Sequence, residues 1–217
     1  SKHKVTKAYI KICGVKDIKI AKHAINCGAS FLGFVFFENS SRNISISKCT
    51  EILDEINGKV NTVAVTVNPT PSDLKTYSKM KFTHVQLHGN ESLNEVRKIN
   101  EAYNLKIIKS FSISTESDLD KIKEYCPFID HILLDSKQKK DMPGGTGQTF
   151  DWKIIKNFCP NKSFFLSGGL NTNNISEALN LKKTEYFDVS SGVENSEGIK
   201  DEKLISEFIS KANKAVK

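Results

Sequence analysis

The chain lacks any run of about 18 consecutive apolar residues, so it offers no segment able to cross a bilayer as a helix. Nor is a secretory leader expected at its start, since residues 1–7 are basic and polar and no apolar stretch follows them. The first residue is Ser1 rather than methionine, which points to processing or trimming; residues 1–7 are expected to be a flexible or added N-terminus. Cysteine is scarce and unpaired in pattern. Cys13, Cys27, Cys49, Cys126 and Cys159 are odd in number and form no CxxC. That argues against a disulfide framework or a zinc site, and for a reducing, cytoplasmic compartment. No glycine fingerprint of the dinucleotide-binding kind follows the first apolar run, where Cys13-Gly14-Val15-Lys16 stands instead. A P-loop is missing too: the Gly144–Gly147 stretch is too short and does not end in Gly-Lys-Ser/Thr. No linker or low-complexity stretch divides the chain.

What is present is alternation. Short β-branched or aromatic runs predict strands at 9–13, 31–36, 62–67, 83–87, 106–111, 131–135, 163–167 and 186–190. Amphipathic, charged segments follow them, with helix starts expected near Asp17, Ser47, Ser72, Ser92, Thr115, Asp151, Thr172 and Asp201. Most of these residues are types that cap orphan backbone N–H groups. Eight strand–helix units in 217 residues is about 27 residues per unit, which fits a lean (β/α)8 TIM barrel of eight parallel strands, one domain spanning residues 1–217. A doubly wound open sheet is the rival; it usually has fewer strands. Hydrophobic residues make up 38% and charged residues 26%, as expected of a soluble globular protein. The net charge of +7 is spread among acidic residues, as around residues 19–22 and 121–124. This reads as solvated helix faces, so neither nucleic acid nor membrane is expected as a partner, while a small polyanionic substrate stays compatible.

In such a barrel the chemistry sits where strands end and the following loops begin. Strand 1 ends at Cys13, the one cysteine expected at that face. Its thiol is a candidate base or nucleophile, provided its pKa falls, or else a small buried hydrophobe. Lys11 shares its parity and should point inward, toward Asp188 on strand 8. The two form either a structural ion pair or one in which Lys11 also favours the Cys13 thiolate. Strand 6 ends at Asp135, which is either a general acid or base or a cap on its loop. Arg42, after strand 2, offers a planar fork for a carboxylate or for a surface ion pair. Three glycine-rich stretches, around Gly145 and Gly147, Gly168 and Gly169, and Ser191 and Gly192, allow close backbone approach and anion-binding nests. The second and third follow strands 7 and 8, where phosphate sites form in this fold. Gln86 and His88, closing strand 4, are candidate mouth residues. Phe150 and Trp152 read as packing, and Lys137, Lys139 and Lys140 as a solvated charge run.

The ordered set Lys11-Ile12-Cys13-Gly14, Gln86-Leu87-His88-Gly89, Leu133-Leu134-Asp135, Gly144-Gly145-Thr146-Gly147 with Phe150-Asp151-Trp152, Ser167-Gly168-Gly169-Leu170 and Asp188-Val189-Ser190-Ser191-Gly192-Val193-Glu194 resembles the phosphoribosylanthranilate isomerase family. The likeness runs from about Tyr9 to the C-terminal helix and includes the trailing Gly198-Ile199-Lys200-Asp201. It implies an isomerase of tryptophan biosynthesis, an aromatic amino acid pathway, acting by an Amadori rearrangement of N-(5-phosphoribosyl)anthranilate without cofactor or metal. By that resemblance Cys13 is the general base, Asp135 the general acid, and Arg42 the holder of the anthranilate carboxylate. The family's loop usually carries a proline before this arginine; Ser41 stands there in this chain. The partners expected are the phosphorylated small molecule and other enzymes of the tryptophan pathway, with the chain a monomer or homodimer. Among enzyme rivals, a histidine-pathway isomerase would end strand 1 in Asp rather than Cys13. Indoleglycerol-phosphate synthase would need catalytic Lys and Glu residues that these motifs do not supply. A non-catalytic phosphate- or nucleic-acid-binding barrel would call for clustered positive charge.

Overall fold

The computed structural model describes residues 6–136 and 148–216. Eight parallel strands follow one another in chain order and close into a barrel. They are β1 (Tyr9–Cys13), β2 (Phe31–Val35), β3 (Asn61–Thr66), β4 (His84–Leu87), β5 (Lys106–Ile113), β6 (His131–Ser136), β7 (Phe164–Leu166) and β8 (Tyr186–Val189). Closure is made by β8 pairing with β1 in a register that sets Lys11 opposite Asp188. The expected strands all form, with ends displaced by no more than two residues.

The helical layer is less regular than its sequence pattern. Helices α1 (Ile18–Cys27), α2 (Ile46–Ile56), α3 (Pro71–Lys79), α4 (Leu93–Ala102), α5 (Ile122–Tyr125), α6 (Ile175–Asn180) and α7 (Glu202–Ala215) cover the sheet. Asp17, Ser92 and Asp201 cap α1, α4 and α7 as the sequence suggests. Three starts differ: the caps are Ser45, Thr70 and Asn174 rather than Ser47, Ser72 and Thr172. At Thr70 the reason is reciprocal capping with Asp73, helped by Pro71 in the first turn, where its missing N–H costs nothing. The segments expected from Thr115 and Asp151 shorten to a four-residue 3-10 turn and α5, and to a 3-10 turn over Trp152–Ile155. Pro160, five residues beyond Ile155, has no N–H with which to continue a helix.

Apolar residues fill two regions. The larger lies between sheet and helices, with Ile12, Leu32, Phe34, Phe187 and Phe208 almost wholly buried. The smaller lies inside the barrel, where Phe31, Val63, Val65, Ile108, Leu133 and Phe165 cluster with Cys13. The bottom of the barrel is an aromatic plug: Phe31, His84, His131, Phe165 and Tyr186 meet edge to face or tilted, 5.1–6.3 Å between centroids. With the bottom filled, the cavity inside the described barrel lies at the C-terminal ends of the strands. No helix among the described residues is long and apolar enough to cross a membrane. Several helix lysines pair with acidic neighbours, as Lys22 does with Glu55 and Lys19 with Glu202, in keeping with solvated, mixed-charge faces.

Candidate active site

The inward parity of β1 aims Lys11 and Cys13 along one line into the barrel. Lys11 is fully buried and donates to Asp188 Oδ1 at 2.8 Å, while Ser167 donates to Asp188 Oδ2 at 2.7 Å. The expected inward pair therefore forms, and both of its charges are satisfied. Cys13 sits one layer higher, 8% exposed, on the wall of a cavity of about 420 Å³ at the barrel mouth. Room for its sulfur comes from Gly33 on β2, where a Cβ would lie 3.0 Å from Sγ. Burial is the largest influence on the thiol and pushes its pKa up from the usual 9.0; Lys11 and Lys200 pull the other way without overcoming it. Burial thus opposes the lowering on which the reactive role of this thiol is conditional, although Lys11 favours the thiolate. Lys11 acts on both Asp188 and Cys13, and the sulfur stands in a poorly solvated wall.

Asp135 faces the same cavity from the end of β6, with its side chain 19% exposed. Its Oδ1 accepts the Ser136 N–H at 2.9 Å. Its Oδ2 lies 3.1 Å from Nε2 of His88, and His88 Nδ1 lies 2.8 Å from Nε2 of Gln86. If Gln86 donates to Nδ1, the imidazole proton sits on Nε2 and points at Asp135. Gln86 Oε1 is left buried without a partner in this arrangement. Turning the amide over would let Oε1 accept from a protonated Nδ1 instead. His88 and Gln86 are thus tied to the carboxylate, a connection their place in the sequence did not reveal. The one available signal was their shared parity at the end of a strand, which aims both inward. The loop carrying His88 is held from below by Lys109, which donates to the Gly89 carbonyl and to buried Glu91, both at 3.0 Å.

Arg42 also lines the cavity, but it is neither solitary nor on the surface. It is 8% exposed and donates from Nε and Nη2 to the two carboxylate oxygens of Glu194, at 2.9 and 2.7 Å. Glu194 starts a small hairpin, β9 (Glu194–Ser196) with β10 (Ile199–Lys200), that follows β8 and folds over the rim. Lys200 on β10 donates to the same carboxylate at 2.6 Å, and the Gly198 N–H does so at 3.0 Å. Together these donors hold the Glu194 pKa down at about 2 against the opposing effect of burial. Gly14, at φ +89°, explains the glycine after Cys13: a Cβ there would lie 2.9 Å from Cδ of Arg42. The sequence pattern marks Arg42 but not Glu194 or Lys200, although both lie within motifs already quoted.

The late glycines pack loops tightly together at the same face. A Cβ on Gly168 would approach the Ser136 backbone nitrogen to 2.6 Å, and one on Gly169 would meet the backbone of Gln148 and Thr149. Gly168, Gly169, Ser190 and Ser191 line the cavity. Gly192 is required by a different contact, since its Cβ would collide with the Leu170 carbonyl. Gly145 and Gly147 lie outside the described residues, as do Lys137, Lys139 and Lys140. Phe150 is buried and Trp152 packs against the core, in keeping with a packing role. The cavity thus gathers a thiol, a carboxyl group, a guanidinium and two glycine-rich loops, the parts needed for acid–base work on an anionic ligand.

Comparison with known proteins gives one answer. The model of the N-(5'-phosphoribosyl)anthranilate isomerase family matches residues 10–211. The N-(5'-phosphoribosyl)anthranilate isomerase of Sinorhizobium fredii is 39% identical over 209 residues, covering 95% of this chain and 93% of that protein. The crystal structure of phosphoribosyl anthranilate isomerase from Thermotoga maritima superposes with a TM-score of 0.86 at 37% identity, covering 94% of this chain and 98% of that one. A phosphoribosyl anthranilate isomerase in complex with reduced 1-(o-carboxyphenylamino)-1-deoxyribulose 5-phosphate gives 0.81 at 34% identity, with coverages of 94% and 98%. By sequence and by fold, then, the chain belongs to the N-(5'-phosphoribosyl)anthranilate isomerase family.

Proposed function

We propose that the chain converts N-(5-phosphoribosyl)anthranilate into 1-(2-carboxyphenylamino)-1-deoxyribulose 5-phosphate, an Amadori rearrangement in tryptophan biosynthesis. The observation that carries this reading is that Cys13 and Asp135, on β1 and β6, line one cavity whose rim holds Arg42 and the glycine loops after β7 and β8. Asp135 protonates the furanose ring oxygen, and the bond from that oxygen to C1 breaks to leave a protonated Schiff base. The iminium makes the C2 proton acidic, and Cys13 as thiolate removes it. The enolamine then tautomerises to the ketone, so hydrogen moves within the molecule and nothing is oxidised or reduced overall. Each of the two groups is expected to contribute on the order of 10² to 10⁴ in rate.

Arg42 receives the anthranilate carboxylate in this reading. The phosphate is held by Gly168, Gly169, Ser191 and Gly192, with Gly145 and Gly147 from the loop after β6. Fixing both ends of the ligand places C1 and C2 between the acid and the base. The partner required is the phosphorylated small molecule, met in the cytoplasm by a monomer or homodimer; an odd number of cysteines with no CxxC supports a reducing compartment. The test is to add the enzyme to freshly prepared phosphoribosylanthranilate and follow its fluorescence. A loss of signal proportional to enzyme concentration is expected, and a signal that decays no faster than in buffer overturns the assignment.

A further inference from the structure

The donors that Arg42 spends on Glu194 are unevenly placed. A guanidinium has five N–H donors in a plane. Glu194 takes its side edge, Nε with one hydrogen of Nη2, through both carboxylate oxygens. That leaves the end edge, Nη1 with the other Nη2 hydrogen, which is itself a fork suited to a second carboxylate. The stem of Arg42 is fixed as well, packed over Gly14, and its own N–H donates to Ser40 Oγ at 3.1 Å. Lys200 makes the charge balance unequal. One buried carboxylate faces two cations, so the Arg42–Glu194–Lys200 cluster carries one positive charge more than it neutralises. Lys200 is anchored on Ser190, which lines the cavity, through the Ser190 carbonyl at 3.2 Å and Oγ at 3.3 Å. Glu197, the further acid on the hairpin, is exposed and accepts from Ser41 Oγ at 3.5 Å; it lines the same cavity and acts on Arg42 from the solvent side, where water screens its charge more than that of buried Glu194.

We propose that Glu194 and Lys200 are positioning residues that make Arg42 a one-sided carboxylate receptor: Glu194 holds the guanidinium from its side edge so that the end edge meets an anionic ring substituent, and Lys200 supplies the surplus positive charge that draws that anion in. A lone arginine at a cavity mouth would lose side-chain freedom on binding, whereas this one is ordered in advance. Removing Lys200 would leave a neutral Arg42–Glu194 pair with little attraction for a further anion. Removing the Glu194 charge would free the fork to turn. The idea rests on the functional reading above, because it takes the occupant to be a ring carboxylate.

The test uses two ligands made by reductive amination of ribose 5-phosphate, one with anthranilate and one with aniline, which differ only in the carboxylate. Calorimetric titration of the wild-type chain should favour the carboxylate ligand by about 100-fold, the worth of a pair of charge-assisted hydrogen bonds. In Glu194→Gln and Lys200→Met this preference should fall to about tenfold or less, while affinity for the aniline ligand stays within about twofold of wild type. Retained aniline-ligand binding shows that each variant is folded. Should Glu194→Gln fail to bind either ligand, Glu194→Asp, which keeps the charge but draws it back by one methylene, and Lys200→Met each decide the question alone. A wild-type chain indifferent to the carboxylate would sink the reading of Arg42 itself. A strong wild-type preference that survives in the folded variants would overturn the positioning role of Glu194 and Lys200 and leave that reading standing.

Discussion

His88 Nε2 stands 3.1 Å from Asp135 Oδ2, linking the end of β4 to the end of β6 across the barrel mouth. Because Gln86 Nε2 lies against the other ring nitrogen, the imidazole has two self-consistent states, one for each orientation of the amide. With Gln86 Nε2 donating, Nε2–H is directed at the carboxyl group that the proposed mechanism uses as its acid; with the amide turned over, the proton is on Nδ1 and Nε2 of the neutral ring accepts from that carboxyl group. His88→Ala should therefore lower kcat by about tenfold to a hundredfold, below the full effect of a direct acid or base, with KM changed little. His88→Asn, which keeps a donor but cannot carry a proton, should recover only part of the loss. Wild-type kcat in His88→Ala would show that the contact has no part in turnover.

Cys13→Ser and Asp135→Asn should each reduce kcat by on the order of 10² to 10⁴ with the fold intact. Both side chains line the cavity wall, and Cys13→Ser exchanges sulfur for a smaller oxygen at the upper edge of the inner apolar cluster without opening a large void. Arg42→Ala should act mainly on KM, since the contact it would make is far from the bonds that change. Steady-state kinetics on the three purified variants separates these outcomes. Near-normal turnover in both of the first two would remove the acid–base assignment.

The pH profile follows from the burial of Cys13. Burial disfavours the thiolate, so the pKa lies above 9.0 despite the pull of Lys11 and Lys200. When an acid and a base act together, kcat/KM is level between the two ionisations of the free enzyme and falls beyond the higher one. That alkaline limb should lie above pH 9. Lys200→Met, which removes a cation favouring the thiolate, should move it higher still. A limb at pH 8 or below would mean that burial does not dominate at this sulfur.

Acid should weaken the fold from the bottom of the barrel. Burial lowers the pKa of His84 to about 3 and that of His131 to about 4, from 6.5. The unfolded chain then binds protons that the folded chain refuses. Their contribution is complete above pH 6.5 and is lost as pH falls toward 4 and 3. The loss is at most about 1.4 kcal/mol per pH unit for each ring. Glu194, with its pKa of about 2, adds a loss of the same sign below pH 4.5. Urea midpoints measured at pH 8, 6 and 5 should fall in that order, and His84→Phe should flatten the trend. Equal midpoints at pH 8 and pH 5 would contradict the account.

The strands were legible because a buried parallel strand leaves a local trace, a short β-branched run with charged sequence on either side. Such runs located all eight, and the parity of β1 was enough to aim Lys11 and Cys13 inward and to set Asp188 opposite. The ordered motifs marked Cys13, Arg42 and Asp135 on a single chain. The helix layer was read less well: the segments from Thr115 and Asp151 carry helical composition, yet shorten to 3-10 turns and a four-residue helix. What Arg42 and Asp135 touch was settled only by closure of the barrel, which brings Glu194 to Arg42 across 152 positions and His88 to Asp135 across 47. Periodicity reports which way a side chain points, not which distant group it will meet. The ionisation of Cys13 belongs with these tertiary facts, because desolvation depends on everything packed around the sulfur rather than on its neighbours in the chain.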